Sequence, residues 1–212
     1  VTLAGTAELW TKLFRDQLNA TCTPAVPVLF NGATPSPCGR ANGATGPFHC
    51  PLDRKLYLDT EFFATRERQM GAKGDFAAAC VVAHEIGHHV QDELGILAKT
   101  TDARRRVSDA QGNEISVRVE LQADCLAGLR ARQASENLGT IQPGDLEEAL
   151  QADRQIGDDT LQRNAGQRPM PHTFTHGTSE QRQRWFATGL QSGRIAGCDT
   201  VSPGRLWPAA RD

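Results

Sequence analysis

The sequence predicts an α+β fold, with a small N-terminal sheet followed by a mainly helical remainder. Three observations predict it. The short β-branched or alternating runs PAVPVLF (24–30), PFHCP (47–51) and RKLYLDT (54–60) all fall early in the chain, the first of them Pro-bounded. Apolar residues at helical spacing dominate after Thr60. A length of 212 residues with 23% charged side chains suits one globular core. We therefore expect a single domain over 1–212. Residues 1–74 supply a helix and the sheet, and 75–212 supply the helical part.

Each element has its own justification. TAELWTKLFRDQL (6–18) carries Leu9, Leu13, Phe14 and Leu18 on one helical stripe, with Trp10 and Phe14 at i, i+4 spacing. Its aromatic pair reads as packing, as do Trp185 and Phe186. PAVPVLF holds two prolines and reads as an edge strand. Residues 31–46 are rich in Gly, Pro, Ser, Asn and Thr, so they read as a loop. In RKLYLDT, Leu56 and Leu58 alternate with Tyr57. A short helix is expected over 60–70. A longer one should follow from an N-cap at Asp75 to a C-terminal glycine at Gly95. Residues 113–137 form the next. Asp145 with Glu148, and Thr178 with Gln181, have the spacing of capping boxes that open two further helices. Arg104 to Arg106 read as a solvated face. Asp158 and Asp159 read as helix surface pairing with Arg182, with a calcium site as the alternative.

Bulk properties exclude several function classes. A formal charge of −2 gives no basic excess for nucleic acid. No run approaches the ~18 apolar residues of a membrane span. The opening VTLAGTAELW has neither a basic region nor an apolar core, so a targeting segment is expected upstream. Six cysteines without a CxxC favour disulfides and a secreted or extracytoplasmic protein. Cys38 and Cys50 flank the Gly-rich loop and are expected to close it.

The chemistry lies in VVAHEIGHHVQ (81–91), which contains the pattern H-E-x-x-H. On a helix with 3.6 residues per turn, His84 and His88 stand one above the other and can present two imidazoles to one tetrahedral metal. Glu85 is rotated by about one hundred degrees and suits a general base beside the metal. Gly87 is costly in a helix and implies a close approach. A catalytic zinc takes a third protein ligand. The extended pattern HExxHxxGxxH would need Gly at 91 and His at 94, where this chain has Gln91 and Leu94. His89 points to another face and reads as a surface or supporting residue. VELQADCLAG supplies the better candidate, Glu120, 32 residues beyond His88. Asp124 follows on the same face, where it can accept the outer N–H of a ligating His.

The segments GPFHCPLDRKLYLD, AHEIGHHVQ, SVRVELQADCLAG, GDLEEAL, QIGDD and FTHGTSEQR together resemble the bacterial putative neutral zinc metallopeptidase family (YpfJ type), of the gluzincin group. The resemblance spans most of the chain, roughly 34–200. It implies a zincin-like fold, one catalytic Zn2+ held by His84, His88 and Glu120, and Glu85 as catalytic acid/base. It also favours a Cys125–Cys198 disulfide, which leaves Cys22–Cys80 by elimination. His49 departs from the family, which usually carries Tyr there. Members often have an N-terminal membrane anchor, and no such segment is read here.

The reading is a zinc-dependent endopeptidase, expected as a monomer acting on peptide or protein substrates. Other zinc amide hydrolysis, such as cleavage of cell-wall peptide, shares the metal chemistry and stays open. So does a catalytically silent metal-bearing binding protein, although a purely structural metal would need no base at Glu85. A second stabiliser of the oxyanion is required besides zinc. His176, just ahead of a helix start, is the first candidate and His172 the second.

Overall fold

The computed structural model describes residues 3–42, 45–70, 74–138 and 157–202, and among them the fold is mixed α+β. The capping box expected at Asp145 and Glu148 lies outside the described residues. The N-terminal helix α1 (Leu3–Leu13) widens into one π turn over Phe14–Leu18 and closes at Asn19 in the left-handed conformation. Trp10 and Phe14 are buried and meet edge to face, with ring centroids 6.5 Å apart.

Five strands follow: β1 (Val26–Phe30), β2 (Ala33–Ser36), β3 (Gly39–Asn42), β4 (Phe48–Cys50) and β5 (Lys55–Asp59). The larger sheet has the order β1-β5-β4, with β1 parallel and β4 antiparallel to β5. Strand β1 is an edge, which is why Pro27 is tolerated in it. Strand β5 is central, so the expected alternation gives way to burial of Leu56 through Asp59. Leu56 and Leu58 enter the main core. Tyr57 stacks on Phe48 and donates its hydroxyl to Asp53 at 2.8 Å.

The loop expected over 31–46 contains a hairpin instead, β2 paired antiparallel to β3 with Ser36 opposite Gly39. Local bonds offset its poor strand composition. Ser36 Oγ donates to the Gly39 carbonyl at 2.6 Å and accepts from the Cys38 amide at 3.2 Å. The Cys38–Cys50 disulfide then ties the hairpin to β4.

Helix α2 covers Thr60–Met70 and α3 covers Gly74–Glu93, one residue ahead of the expected cap. Gly95 adopts φ +68° and opens α4 (Ile96–Arg104), an exposed helix whose lack of buried residues left it without a sequence pattern. Helix α5 (Asp109–Leu138) begins a turn earlier than expected and packs along α3. Helix α6 (Asp158–Asn164) precedes a short turn at Pro171–Thr173 and α7 (Ser179–Ser192). The Thr178–Gln181 capping box forms as expected. Helix α7 also packs along α5, where the Cys125–Cys198 disulfide secures the C-terminal segment. Among the described residues no helix is long and apolar enough to cross a membrane.

Gly87 sets the spacing of α3 and α5. A Cβ there would stand 2.9 Å from the Ala123 carbonyl oxygen. Backbone contact at this point brings the His84–His88 face onto Glu120 and Asp124. Gly87→Ala should destabilise the protein, because overpacking of about 1–3 kcal/mol exceeds the ~1 kcal/mol gained in helix propensity. Denaturant melts test this, and a neutral or stabilised variant would rule out the close approach.

The expected Cys22–Cys80 disulfide is corrected by the structure, in which the two are not bridged to each other. Cys22 belongs to the main core with Trp10, Leu56 and Val90. Cys80 packs against a separate cluster of Ala83, Ala127, Ala131 and Phe186. Pairing by elimination had no access to this division of the core.

Candidate metal centre

His84 and His88 sit one turn apart on α3, with ring centroids 4.8 Å apart and planes at 89°. Glu120 reaches them from α5. Its Oε2 lies 3.1 Å from His84 Nε2 and its Oε1 lies 3.6 Å from His88 Nε2. One ligand atom from each of the three falls within 4.8 Å of the others. The three side chains remain 14 to 20% exposed, so the cluster opens to solvent on one side.

The hydrogen bonds behind the cluster assign the tautomers. Asp124 Oδ1 lies 2.8 Å from His84 Nδ1, so this nitrogen carries the proton. Arg182 of α7 grips the same carboxylate with two bonds, Nη2 to Oδ1 at 2.8 Å and Nε to Oδ2 at 3.0 Å. On the other ring, His88 Nδ1 donates to Gln91 Oε1 at 2.8 Å. The Gln91 amide orientation follows from its nitrogen, which donates to the Val119 carbonyl at 2.7 Å and to Gln122 Oε1 at 3.0 Å. Both Nε2 lone pairs therefore converge with a carboxylate. Three acceptors facing one another fit a cation, and two imidazoles with one carboxylate fit zinc.

The carboxylates around the two rings draw positive charge, whether it arrives as a proton or as a metal ion. Burial opposes charge on His84, but Asp124 and Glu120 outweigh it and raise its pKa well above the ordinary histidine value. His88 is raised against burial by Glu120. Burial likewise opposes ionisation of Glu120, yet His88 and His84 hold its carboxyl well below the usual range. Asp124 is lowered, burial being outweighed by Arg182 and then His84.

Glu85 stands beside the cluster on α3. Burial raises its pKa, with His88, His84 and the His49 amide pulling the other way. The His49 backbone N–H of β4 donates to Glu85 Oε2 at 3.0 Å, so the sheet holds this carboxylate through main chain rather than side chain. The His49 ring is buried, 3.4 Å from Asp92 and edge to face with His89. His89 itself is buried and not on the surface, with Nε2 2.7 Å from the Thr23 carbonyl.

Burial, then repulsion from His89, pushes the His49 pKa down to about 4 from its ordinary 6.5 despite Asp92. The folded state thus prefers neutral His49. Its contribution is full above the unfolded value near 6.5, is lost as pH falls from there toward 4, and is flat below. We expect a loss of stability across that window from this group. Denaturant melts of the parent and of His49→Tyr at pH 7 and 4.5 check it. Equal acid losses in both would contradict the assignment.

The segment before α7 presents His176. Gly177 packs on α5, where a Cβ would meet Val117 and Leu121, which lie to either side of Glu120 along the helix. His176 is half exposed and its pKa is raised, first by its hydrogen bond to Asp158. Glu120 adds to this effect. His172 lies on the exposed short turn, where its carbonyl accepts from Asn113. Arg182, expected to pair with Asp158 or Asp159, is committed to Asp124 instead. Sequence reasoning missed Gln91, Arg182 and the His49 amide. A Gln one helical turn past His88, next to the apolar Val90, was the one available signal.

The family model "Putative neutral zinc metallopeptidase" matches residues 1–201. The chain belongs to the neutral zinc metallopeptidase family. It is similar to the uncharacterized protein YpfJ of Escherichia coli K12, 43% identical over 200 residues, covering 94% of this chain and 69% of that protein. It is also similar to the uncharacterized protein Rv2575 of Mycobacterium tuberculosis H37Rv, 42% identical over 188 residues, covering 84% of this chain and 62% of that protein. No solved structure matches. A zinc peptidase family and a His-His-Glu cluster point to the same metal.

Proposed function

We propose that the protein is a zinc-dependent endopeptidase with a zincin-like catalytic arrangement. The observation that carries this reading is the convergence of His84 Nε2, His88 Nε2 and the Glu120 carboxylate, with Glu85 adjoining them on α3. His84, His88 and Glu120 hold one Zn2+, and Asp124 and Gln91 fix the two imidazoles. When bound, zinc supplies a Lewis acid that acidifies water and polarises the scissile carbonyl.

The protein's own residues do the rest. Glu85 accepts a proton as water attacks the carbonyl carbon and returns it to the leaving amine as the C–N bond breaks. Its raised pKa suits both directions of transfer. The His49 amide restrains the Glu85 carboxylate through one oxygen and leaves the other to work. His176 donates to the oxygen on which negative charge develops. The two disulfides support an extracytoplasmic, secreted setting.

The test joins metal analysis to cleavage of a peptide library, with and without chelator. We expect one zinc per chain, internal cleavage, loss with chelator and recovery with zinc. Cleavage that ignores chelator would reject the metal mechanism. Zinc binding without any cleavage would leave a metal-bearing binding protein.

A further inference from the structure

The segment Gly157-Asp158-Asp159 forms a clasp around residues 175–179. Asp158 Oδ2 accepts three successive backbone N–H groups, from Thr175 at 2.7 Å, His176 at 2.6 Å and Gly177 at 3.0 Å. Its other oxygen lies 3.3 Å from His176 Nδ1. The Asp158 amide returns a bond to the Gly177 carbonyl at 2.9 Å. Asp159 Oδ1 accepts from the Ser179 amide at 2.8 Å, and Thr160 Oγ1 lies 2.7 Å from Ser179 Oγ. Gly157 packs so closely on Ser179 that no Cβ fits between them. Every bond here ends on the segment that carries His176, and Gly177 seats that segment against α5 beside Glu120.

A carboxylate holding three consecutive amides fixes the backbone of this loop. Its remaining oxygen acts on one ring nitrogen of His176. With Nδ1 turned toward Asp158, Nε2 is the nitrogen left to face outward. The groups near the His176 ring are Thr175, whose Oγ1 lies 3.0 Å from Nδ1, with Asp158 from α6, Glu120 from α5 and Arg182 from α7. Asp158 is the one that both hydrogen-bonds the ring and holds its main chain.

We propose that Asp158 is a positioning residue for the peptidase reaction, setting the His176 main chain and directing its Nε2 toward the reacting oxygen. This rests on the reading of His176 given under the proposed function. The aspartate pair read from sequence as helix surface is thereby assigned a task at the site.

Asp158→Asn is isosteric and keeps one acceptor oxygen for the backbone amides. In the zinc-loaded protein it should lower kcat by about tenfold, with KM within about twofold and zinc content unchanged, less than the roughly 100-fold minimum for a general acid/base group because Asp158 acts only through His176. His176→Ala should lower kcat by more. The double variant should be no slower than His176→Ala alone, because Asp158 acts through that ring. A normal kcat in Asp158→Asn, or a double variant slower than His176→Ala, would overturn the proposal. A normal kcat in His176→Ala would instead remove His176 from the site, and this inference with it. Ring titration by NMR of the unaltered chain covers the case in which the Asp158→Asn variant does not fold. There His176, identified by loss of its signals in His176→Ala, should titrate above the ordinary value of about 6.5. A value at or below that would equally overturn the proposal.

Discussion

Glu85→Gln should lower kcat by a factor on the order of 100 to 10,000 while zinc stays bound, the usual scale for a general acid/base group. The amide is isosteric and keeps an oxygen for the His49 N–H, which donates to Glu85 at 3.0 Å. The ligand atoms of His84, His88 and Glu120 are untouched, because Glu85 is not one of the three that converge. Only proton transfer is lost. KM should therefore change little, and zinc content should match the parent. Single-turnover cleavage of one defined peptide with parallel zinc analysis measures both. A variant with parental kcat would remove Glu85 from the chemistry.

Glu120→Gln should have the opposite signature. It removes the one anionic ligand from a set that otherwise holds two neutral imidazoles. Loss of a supporting residue behind a ligand typically costs roughly 10–100-fold in metal affinity, and loss of the ligand itself should exceed that range. The fold should survive, since the neighbouring Leu126 and Leu129 and the Cys125–Cys198 disulfide hold α5 independently of this carboxylate. Competition against a chromogenic chelator reads the affinity, and melts with excess zinc read the fold. Parental affinity in a folded Glu120→Gln would exclude Glu120 as a ligand. Glu85→Gln and Glu120→Gln thus separate proton transfer from metal binding on adjacent side chains.

The part of the site that depends on helical periodicity was legible in the sequence. His84 with His88 and Glu120 with Asp124 are i, i+4 pairs, and each pair shares a face because one turn is close to four residues. Gly87 was legible for a related reason, since a glycine inside an apolar helix has few uses other than close contact. The Thr178–Gln181 box was legible because both partners lie within one turn.

What stayed hidden depends on distant neighbours. Arg182 and Asp124 are 58 residues apart, and nothing local marks Arg182 as buried. Asp158 and His176 are 18 apart, joined through backbone amides that carry no side-chain signature. The β2–β3 hairpin was obscured by Gly, Pro and Ser, whose composition reads as loop until a disulfide and a serine hydroxyl hold the register. His89 looked exposed because its neighbour His88 claimed the metal face, yet its own face meets the Thr23 carbonyl and the His49 ring of β4. In each case the missing information was which surfaces meet.

The two imidazoles also differ in how they are held. His84 is backed by a buried carboxylate that is itself neutralised by a bidentate arginine, whereas His88 is backed by a neutral amide. Stronger polarisation of His84 should make it the more basic nitrogen donor, an asymmetry set by α5 and α7 rather than by the motif.

Zinc K-edge X-ray absorption on the zinc-loaded protein tests the proposed His84, His88 and Glu120 ligand set most directly. Two imidazole nitrogens at about 2.0–2.1 Å and carboxylate oxygen at about 2.0–2.2 Å are predicted, with the oxygen contribution altered in Glu120→Gln. A sulfur shell near ~2.3 Å, or a spectrum unchanged in Glu120→Gln, would contradict the assignment.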